Sequence, residues 1–323
     1  MTFVRTGENQ QPNSVFTPLT EQDNQHKTSA PNRKKQPEHQ HYNAIWLSDI
    51  HLGCKDCKAE FLLQLLEQTS FDNLYLIGDI IDLWALKKRL FWPTSHQKVL
   101  QKIITIAQGN TRVIFVPGNH DELLKDYHGI SFSQIEIHPE YQHITASGKK
   151  LLMVHGDQFD SQVCIARYYA KLGDHLYDFL LFINRHLHAI RRKFGHPYWS
   201  LASYIKLRVN KAQEAIKRYQ QAVVNYAKSK EVDGIFCGHI HQPELVEEAG
   251  VIYGNDGDWI ENCTLIAEQK CGELQLLQWD DANQNTKVLS TIPPFNSPVK
   301  SNTPVTATDI IDEHIPSLSM HNN

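Results

Sequence analysis

The chain has an ordinary globular composition: 323 residues, of which 41% are hydrophobic and 21% charged, with a formal net charge of -4. This balance gives no whole-chain reason to expect binding to a polyanion such as nucleic acid. No apolar run approaches the roughly 18 residues that a membrane span needs, and the N-terminus lacks the apolar core of a secretory signal. We therefore expect a cytoplasmic protein.

The six cysteines are scattered and do not form the dense framework of a small secreted domain. We expect reduced thiols. Cys54 and Cys57 form a CxxC, but no second CxxC accompanies it. Incidental thiols are therefore favoured over a redox or zinc site.

Both ends of the chain are predicted to be disordered tails. Residues 1–41 are rich in Gln, Asn, Pro, Lys and Glu, and residues 284–323 are rich in Thr, Pro, Ser and Asn. Such segments bury too little apolar surface to offset the entropy lost on ordering. The folded part is therefore predicted to span residues 42–283.

In chain order, five short apolar runs end in polar turns and predict buried strands, at 44–47, 74–77, 113–116, 151–154 and 235–237. Amphipathic helical patterns lie between the early strands, around 61–66 and 99–107. This alternation predicts an α/β fold. Three later runs, at 251–253, 263–267 and 273–279, are interpreted as consecutive strands of a second sheet packed on the first.

Each of the five predicted strands is followed at once by a polar cluster. In open α/β sheets the loops beyond the carboxyl ends of the strands converge on one crevice. A lone His or Asp at a strand end is usually a surface residue, but packing gives no reason to place five such clusters at five strand ends. The clusters are Asp49-Ile50-His51, Gly78-Asp79 with Asp82, Gly118-Asn119-His120-Asp121, His155-Gly156-Asp157 and Gly238-His239-Ile240-His241.

The residue types and their spacing predict a metal centre. Imidazole together with carboxylate or amide oxygen suits Mn, Fe or Zn. On an extended segment residues i and i+2 point the same way, so Asp49 with His51, and His239 with His241, can address one region. The glycines in the clusters allow sharp turns and close approach. Asp79 is the carboxylate expected to bridge two metals about 3.5 to 4 Å apart.

These clusters, in this order, resemble those of the calcineurin-like metallophosphoesterases across nearly the whole predicted folded part. The resemblance implies an αββα sandwich, with a hydroxide on two metal ions that attacks phosphorus. It further implies two ligand sets that share Asp79. One metal would be held by Asp49, His51, Asp79 and His241, and the other by Asp79, Asn119, His155 and His239.

Within that family, the segments Gly78 to Trp84 and Asn255 to Trp259, the His155-Gly156-Asp157 cluster and a long helical insertion resemble the UDP-2,3-diacylglucosamine pyrophosphatases. This resemblance implies hydrolysis of a UDP-linked lipid to UMP and 2,3-diacylglucosamine 1-phosphate in lipid A synthesis, with Mn as the expected metal and Fe or Zn as alternatives. The best-known members have Arg where His120 stands. A histidine offers one donor and can serve as a general acid, so we expect His120 to be catalytic.

The insertion, at about 159–231, is predicted to be a lid. Apolar residues recur at three- and four-residue steps from Ile165 to Ile190, as in a long amphipathic helix. The segment 157–231 contains 13 Lys and Arg and 6 Asp and Glu, a local charge of +7. A basic, apolar helix suits an anionic lipid or the inner-membrane surface, and a solvated basic face is the alternative. The residues expected to bind substrate are Asp82, Arg191, Arg192 and Lys193.

Two other classes of function stay open. A nucleic-acid phosphodiesterase could use the same metals, although the chain carries no added motif for RNA or DNA and no nucleic-acid partner is expected. A non-catalytic scaffold of the same fold would be expected to lack ligands, whereas all seven are present here.

Overall fold

The computed structural model describes residues 40–160, 183, 191 and 210–294. The first half of this part alternates strands with helices, and the second half is mainly strands. Two 3-10 helices, Glu122–Tyr127 and Asp157–Phe159, follow the third and seventh strands. The helices are α1 (Ala59–Gln68), α2 (Leu83–Lys88), α3 (Thr94–Ala107) and α4 (Asn210–Ser229).

The strands form two sheets. The first has eight strands in the order β13-β12-β11-β1-β2-β3-β5-β4, and the second has five in the order β6-β7-β8-β10-β9. The strands are β1 (Gln40–Leu47), β2 (Thr69–Ile77), β3 (Arg112–Val116), β4 (Ser131–Phe132), β5 (Ile135–Ile137), β6 (Tyr141–Ile144), β7 (Lys150–Met153), β8 (Gly234–Cys237), β9 (Glu244–Glu248), β10 (Val251–Asn255), β11 (Thr264–Glu268), β12 (Leu274–Asp280) and β13 (Asn285–Ile292).

The centre of each sheet is parallel, which directs the carboxyl ends of its strands to one edge. Strands β1, β2 and β3 run parallel in the first sheet, as do β7, β8 and β10 in the second. Parallel strands are normally covered on both faces, and the last four residues of β2, β3 and β8 are all buried. The five predicted ligand-bearing strands are therefore confirmed as buried strands.

Three apolar layers show how the sheets stack. Alternate residues of β1 point to opposite faces, so Ile45 packs towards α1 and α3 while Trp46 packs between the sheets. In the middle layer Trp46 contacts Phe236 of β8 edge to face, with ring centroids 4.9 Å apart. The third layer joins β8 and β10 to α4 through Tyr219 and Val223. The predicted αββα sandwich is confirmed.

Two details of the predicted architecture are wrong. The three late strands do not form one sheet: β10 belongs to the second sheet, whereas β11 crosses over to pair with β1 and brings β12 with it. The predicted end of the folded part at 283 is also wrong, because β13 continues to Ile292 and pairs with β12 along its length. An edge strand such as β13 pairs with another strand on one side only. Its many polar residues therefore make it resemble a tail in composition.

The N-terminal boundary lies two residues before the predicted one, at Gln40. The predicted lid at 159–231 lies mostly outside the described residues, but its last stretch, α4, packs on β8 and β10 and therefore belongs to the sandwich rather than to a lid. The predicted tails before residue 40 and after residue 294 also lie outside the described residues. Among the described helices, none combines the length and apolar character that crossing a bilayer requires.

Candidate metal centre

The loops after β1, β2 and β3 of the first sheet meet the loops after β7 and β8 of the second. One group of side chains lies around Asp49. His241 Nε2 is 3.1 Å from Asp49 Oδ1, and His51 Nε2 is 3.7 Å from the same oxygen and 3.8 Å from Asp79 Oδ2. Four of the predicted ligands therefore share one small region.

A second group lies on the other side of Asp79. His155 Nε2 is 3.4 Å from Asp79 Oδ2 and 3.1 Å from Asn119 Oδ1. The ring of His239 lies beside that of His155, with centroids 5.2 Å apart, but its Nε2 faces Asp160 Oδ1 at 2.7 Å. Asp79 therefore lies between two groups of predicted ligands, and His239 stands at the outer side of the second.

The backbone at the ligands is unusual. Five of the seven predicted ligands have positive φ angles, between 49° and 70°, a region that side chains other than glycine rarely adopt. The predicted extended geometry of Asp49 with His51, and of His239 with His241, is therefore wrong, because a positive φ is not an extended conformation. Residues in such an unfavourable backbone conformation are kept there by the contacts around them, and they cluster at functional sites. The five are Asp49, His51, Asp79, His239 and His241.

Two of the predicted glycines are required for close packing rather than for a positive φ. A Cβ on Gly118 would overlap the carboxylate and backbone of Asp79, and a Cβ on Gly238 would overlap Ser48 and the carboxylate of Asp49. The loops after β3 and β8 can therefore approach the ligand loops of β1 and β2 only if these positions carry no side chain.

The buried polar atoms fit metal ions. Both ring nitrogens of His51 are buried without a hydrogen-bond partner, although they face the carboxylates of Asp49, Asp79 and Asp82 at 3.4 to 3.8 Å. Two ligand atoms about 2.1 Å from one cation lie about 3.0 to 3.5 Å apart. Metal-like sets of ligand atoms also occur among the described residues at Asp49, Asp79 and His155, and at Asp49, His51 and His241.

The carboxylates of the site change the pKa values of the neighbouring histidines. Burial alone would lower the pKa of His51, but the neighbouring carboxylates outweigh burial and raise this pKa well above its usual range. For His155, burial is likewise outweighed, by Asp79 and Asp49, and the pKa is raised to about 10. Imidazolium protons therefore balance the carboxylates here, and a divalent cation can replace them because metal ligation requires neutral imidazole.

The second ring nitrogen of His155 fixes its orientation. Nδ1 lies 2.9 Å from the backbone oxygen of Ile77, to which it can donate, and this directs Nε2 towards Asp79. A backbone carbonyl on the outer nitrogen is the usual way in which a metal-binding histidine is held.

Comparison with known proteins agrees with this geometry. The family described as calcineurin-like phosphoesterase matches residues 43–243, which include every predicted ligand. The chain belongs to this family. It is accordingly a metal-dependent phosphoester hydrolase, and its clustered Asp and His side chains are candidate ligands of divalent metals.

Several curated relatives carry one name. A UDP-2,3-diacylglucosamine hydrolase of Psychromonas ingrahamii is 27% identical over 242 residues, covering 70% of this chain and 93% of the relative. One of Haemophilus influenzae is 23% identical, covering 73% and 99%. Among solved structures, the phosphoesterase Yfce of E. coli aligns with a TM-score of 0.42 at 15% identity, covering 78% of this chain and 99% of that one.

In the present chain, His120 lies at the edge of the two groups of predicted ligands. Its Nδ1 is 2.9 Å from Asp82 Oδ1, its Nε2 is 4.0 Å from Asp79 Oδ2, and Trp84 stacks on its ring at 4.3 Å between centroids. The outer nitrogen is thus occupied by Asp82 while the inner one faces the site. The predicted catalytic position of His120 fits this arrangement.

Asp82 lies behind His120 and His51 rather than at the open side of the centre. It is buried, and its Oδ1 also accepts the backbone N–H of Ala85 at 2.8 Å, which caps α2. Burial raises the pKa of Asp82, but the hydrogen bonds from His120 and Ala85, together with the nearby His51 imidazole, outweigh it and hold the pKa below its ordinary value. Asp82 therefore orients two histidines, and its predicted contact with substrate stays a prediction.

The predicted basic contacts cannot be placed in the same way. Arg191 is a partly buried helical residue, and Arg192 and Lys193 lie outside the described residues. Substrate binding by these three residues therefore stays a prediction.

Sequence reasoning gave no role to Asp121, which organises the loops. Its carboxylate accepts the backbone N–H of Gly118 at 2.6 Å, of Ile80 at 2.8 Å and of Asp79 at 3.3 Å. The loop after β3 is thereby fastened to the loop after β2. The only available signal was its place in the cluster that starts at Gly118.

Sequence reasoning also missed Ser48, which links Asp49 to the segment between β10 and β11. Its hydroxyl lies 2.6 Å from Asp49 Oδ2 and 2.7 Å from Asp256 Oδ1, and all three residues are buried. Burial is the main cause that raises the pKa of Asp256 well above its usual range. The segment from β10 to β11 therefore supports Asp49 from behind.

Proposed function

We propose that the chain hydrolyses the pyrophosphate of UDP-2,3-diacylglucosamine to UMP and 2,3-diacylglucosamine 1-phosphate, a step of lipid A synthesis. The observation that carries this proposal is the match to curated relatives of that name over 93% and 99% of their lengths, together with the complete ligand set. The substrate is proposed on this ground alone, because a shared fold does not by itself define a substrate.

Two divalent ions are proposed at the centre, with Mn first and Fe or Zn as alternatives. Such ions stabilise the negative charge of the phosphoryl group and the attacking and leaving oxygens of an in-line displacement. Asp79 is proposed as the shared ligand because it lies between the two groups of side chains. The first group is Asp49, His51 and His241, and the second is Asn119, His155 and His239.

His120 is proposed as the residue that touches the reacting phosphate. Since Asp82 accepts from Nδ1, a charged His120 presents its second N–H, on Nε2, towards the site. This N–H can donate to a non-bridging oxygen or protonate the leaving oxygen. Asp82 would stabilise the imidazolium and hold the ring, as a positioning residue.

The insertion is proposed to hold the lipid part of the substrate, with a basic side that includes Arg191, Arg192 and Lys193. Peripheral contact with the cytoplasmic face of the inner membrane is proposed with it. What supports this is the +7 charge of residues 157–231 in a chain of net charge -4. Burial of acyl chain contributes about 0.8 kcal/mol per CH₂, so a lid around acyl chains would discriminate strongly by chain length.

One assay separates this function from the alternative of a nucleotide or nucleic-acid phosphodiesterase. The enzyme with Mn is given UDP-2,3-diacylglucosamine, bis-p-nitrophenyl phosphate and single-stranded DNA in parallel. Release of UMP with a kcat/KM at least about a hundredfold above that for the chromogenic diester is expected, because remote binding energy lowers the barrier only for the substrate that provides it.

The control is the variant Asp79→Ala, which should lose every activity that belongs to the centre. Cleavage of DNA in preference to the UDP-lipid would overturn the proposal in favour of a nuclease. Equal rates on the lipid and the small diester would remove the reason for a lipid substrate.

A further inference from the structure

A strongly basic stretch of the chain leaves the metal centre next to His120. Residues 83–120 contain six Lys and Arg and no Asp or Glu, in a chain whose net charge is -4. Three of the cations, Lys87, Lys88 and Arg89, are consecutive at the end of α2 and exposed. With the residues that the structure describes, these three form no ion pair, so their charge faces solvent.

The same segment exposes large apolar side chains. Leu90 is 81% exposed and Trp84 is 42% exposed. A second exposed set follows β3, in and after the 3-10 helix. Six of the nine large apolar side chains that are exposed in the described part of the chain belong to these two segments. The second set is Leu123, Tyr127, Ile130 and Phe132.

The two segments begin side by side. The backbone N–H of Leu83, the first residue of α2, donates to the oxygen of His120 at 3.2 Å, and the 3-10 helix begins two residues after His120. Trp84 packs on the His120 ring. Both segments are therefore attached to the rim of the metal centre.

We propose that residues 83–90 and 123–132 form a docking surface for a bilayer that contains anionic phospholipid. Exposed cations attract the negative headgroups, and Trp with flanking aliphatic side chains is typical of the membrane interface. The electrostatic part comes from Lys87, Lys88 and Arg89, since the second segment exposes the acidic residue Asp126 and directly follows the exposed Glu122. This second segment contributes apolar surface.

A lipid surface explains both properties of the segments together. Nucleic acid would neutralise the cations but would leave aliphatic side chains such as Leu90 and Ile130 in water. Monomeric proteins rarely leave a large apolar patch exposed without a partner. The inference rests on the proposed function in that a lipid-linked substrate must be reached at a bilayer, and it adds a contact made by the core domain to the one proposed for the insertion.

The test is sedimentation of the full-length protein with vesicles of phosphatidylcholine alone, or of phosphatidylcholine with about 30% phosphatidylglycerol. Wild type should bind the anionic vesicles and release with salt. Each surface cation contributes about fivefold, so the triple change Lys87→Ser, Lys88→Ser, Arg89→Ser should weaken partitioning about a hundredfold. The change Leu90→Asp should weaken binding to the anionic vesicles both without and with added salt.

Matched controls carry the same changes on other faces. Lys228→Ser, Lys270→Ser, Lys287→Ser removes three exposed cations, and Ile144→Asp alters a side chain that is 65% exposed on β6. These proteins should bind as wild type, and thermal melting checks that all variants are folded. Binding by the Lys87, Lys88, Arg89 variant that equals its control would overturn the inference and assign any membrane contact elsewhere, such as to the insertion.

UMP release from substrate dispersed in detergent is measured on the same proteins. Activity there, with vesicle binding lost only in the variants of residues 87–90, supports the docking surface. Normal vesicle binding with no UMP release even by wild type would refute the proposed substrate and leave the docking surface intact.

Discussion

The predicted ligands around Asp79 differ in how firmly the fold holds them. Asp49, His51 and His155 form a buried group, and the backbones of Asp49 and His51 are hydrogen-bonded to the loop after β2. An open group is only partly buried and consists of Asn119, His239 and His241. In it His239 faces Asp160, whose side chain is 63% exposed. The comparison indicates that the buried group sets metal affinity, and that substrate and water enter at the open group.

Replacement of the shared residue tests the comparison most severely. Asp79→Ala removes the carboxylate proposed as the shared ligand, so we expect hydrolysis to be abolished while the protein stays folded. Turnover and bound metal per chain are measured together. Asp72→Ala, an exposed aspartate of the same strand, serves as the control. Near-normal turnover of Asp79→Ala with metal present would make the shared assignment wrong.

His120→Ala separates chemistry from metal binding. Removal of one hydrogen-bond donor that faces the negative charge developing in the transition state typically lowers turnover about a hundred- to a thousandfold. We therefore expect a loss of that size with both metals retained. Turnover is compared with metal content, and His128→Ala, an exposed histidine nearby in the sequence, is the control. Loss of a stoichiometric metal would place His120 among the ligands instead.

Asp82→Asn sharpens the interpretation of His120. Asparagine keeps the size of the side chain and can still cap α2, but it offers no negative charge to His120, so we expect a smaller loss of about ten- to a hundredfold in kcat with both metals retained. A kcat equal to that of wild type would indicate a purely structural role in capping α2.

The sequence was sufficient to predict much of the centre because five strand ends carry their ligands within four residues. The strand assignment and the parallel edge follow from apolar runs that pack on both faces. The positive φ angles at Asp49, His51 and Asp79 could not be predicted, since they arise from contacts between loops that are distant in the chain. The role of Asp121 was missed for the same reason: its partners are backbone N–H groups, which leave no pattern in the side chains.

The later strands show a second limit. Residues 251–253 and 263–267 are both mainly apolar, and nothing in their composition distinguishes a strand of the second sheet from one that joins the first. The choice is made by the segment between them, where Asp256 meets Ser48 and Trp259 donates its backbone N–H to the oxygen of Asp49 at 3.1 Å. Long-range partners of this kind are seen only in the folded chain.

Removal of Asp121 tests the support of the buried group. In Asp121→Ala the buried N–H of Gly118 and that of Ile80 lose their acceptor, and an unsatisfied buried group costs about 1 to 3 kcal/mol. We expect the free energy of unfolding to fall by about that amount, measured by urea denaturation of the metal-free protein. Asp126→Ala, an exposed residue of the adjoining 3-10 helix, should leave it unchanged. No difference between the two variants would mean that water replaces the carboxylate.

The smallest effect is expected at the open group. Asp160 contacts His239 at 2.7 Å, but its side chain is 63% exposed, and exposed pairs of this kind contribute about 0 to 1 kcal/mol. Asp160→Asn should therefore change kcat/KM by less than about fivefold, because 1.4 kcal/mol corresponds to a factor of ten. His239→Ala, which removes a proposed ligand, is assayed beside it and should lose far more. If the two variants were equally impaired, Asp160 would belong to the machinery of the site, and the contrast between a buried and an open group would fail at this point.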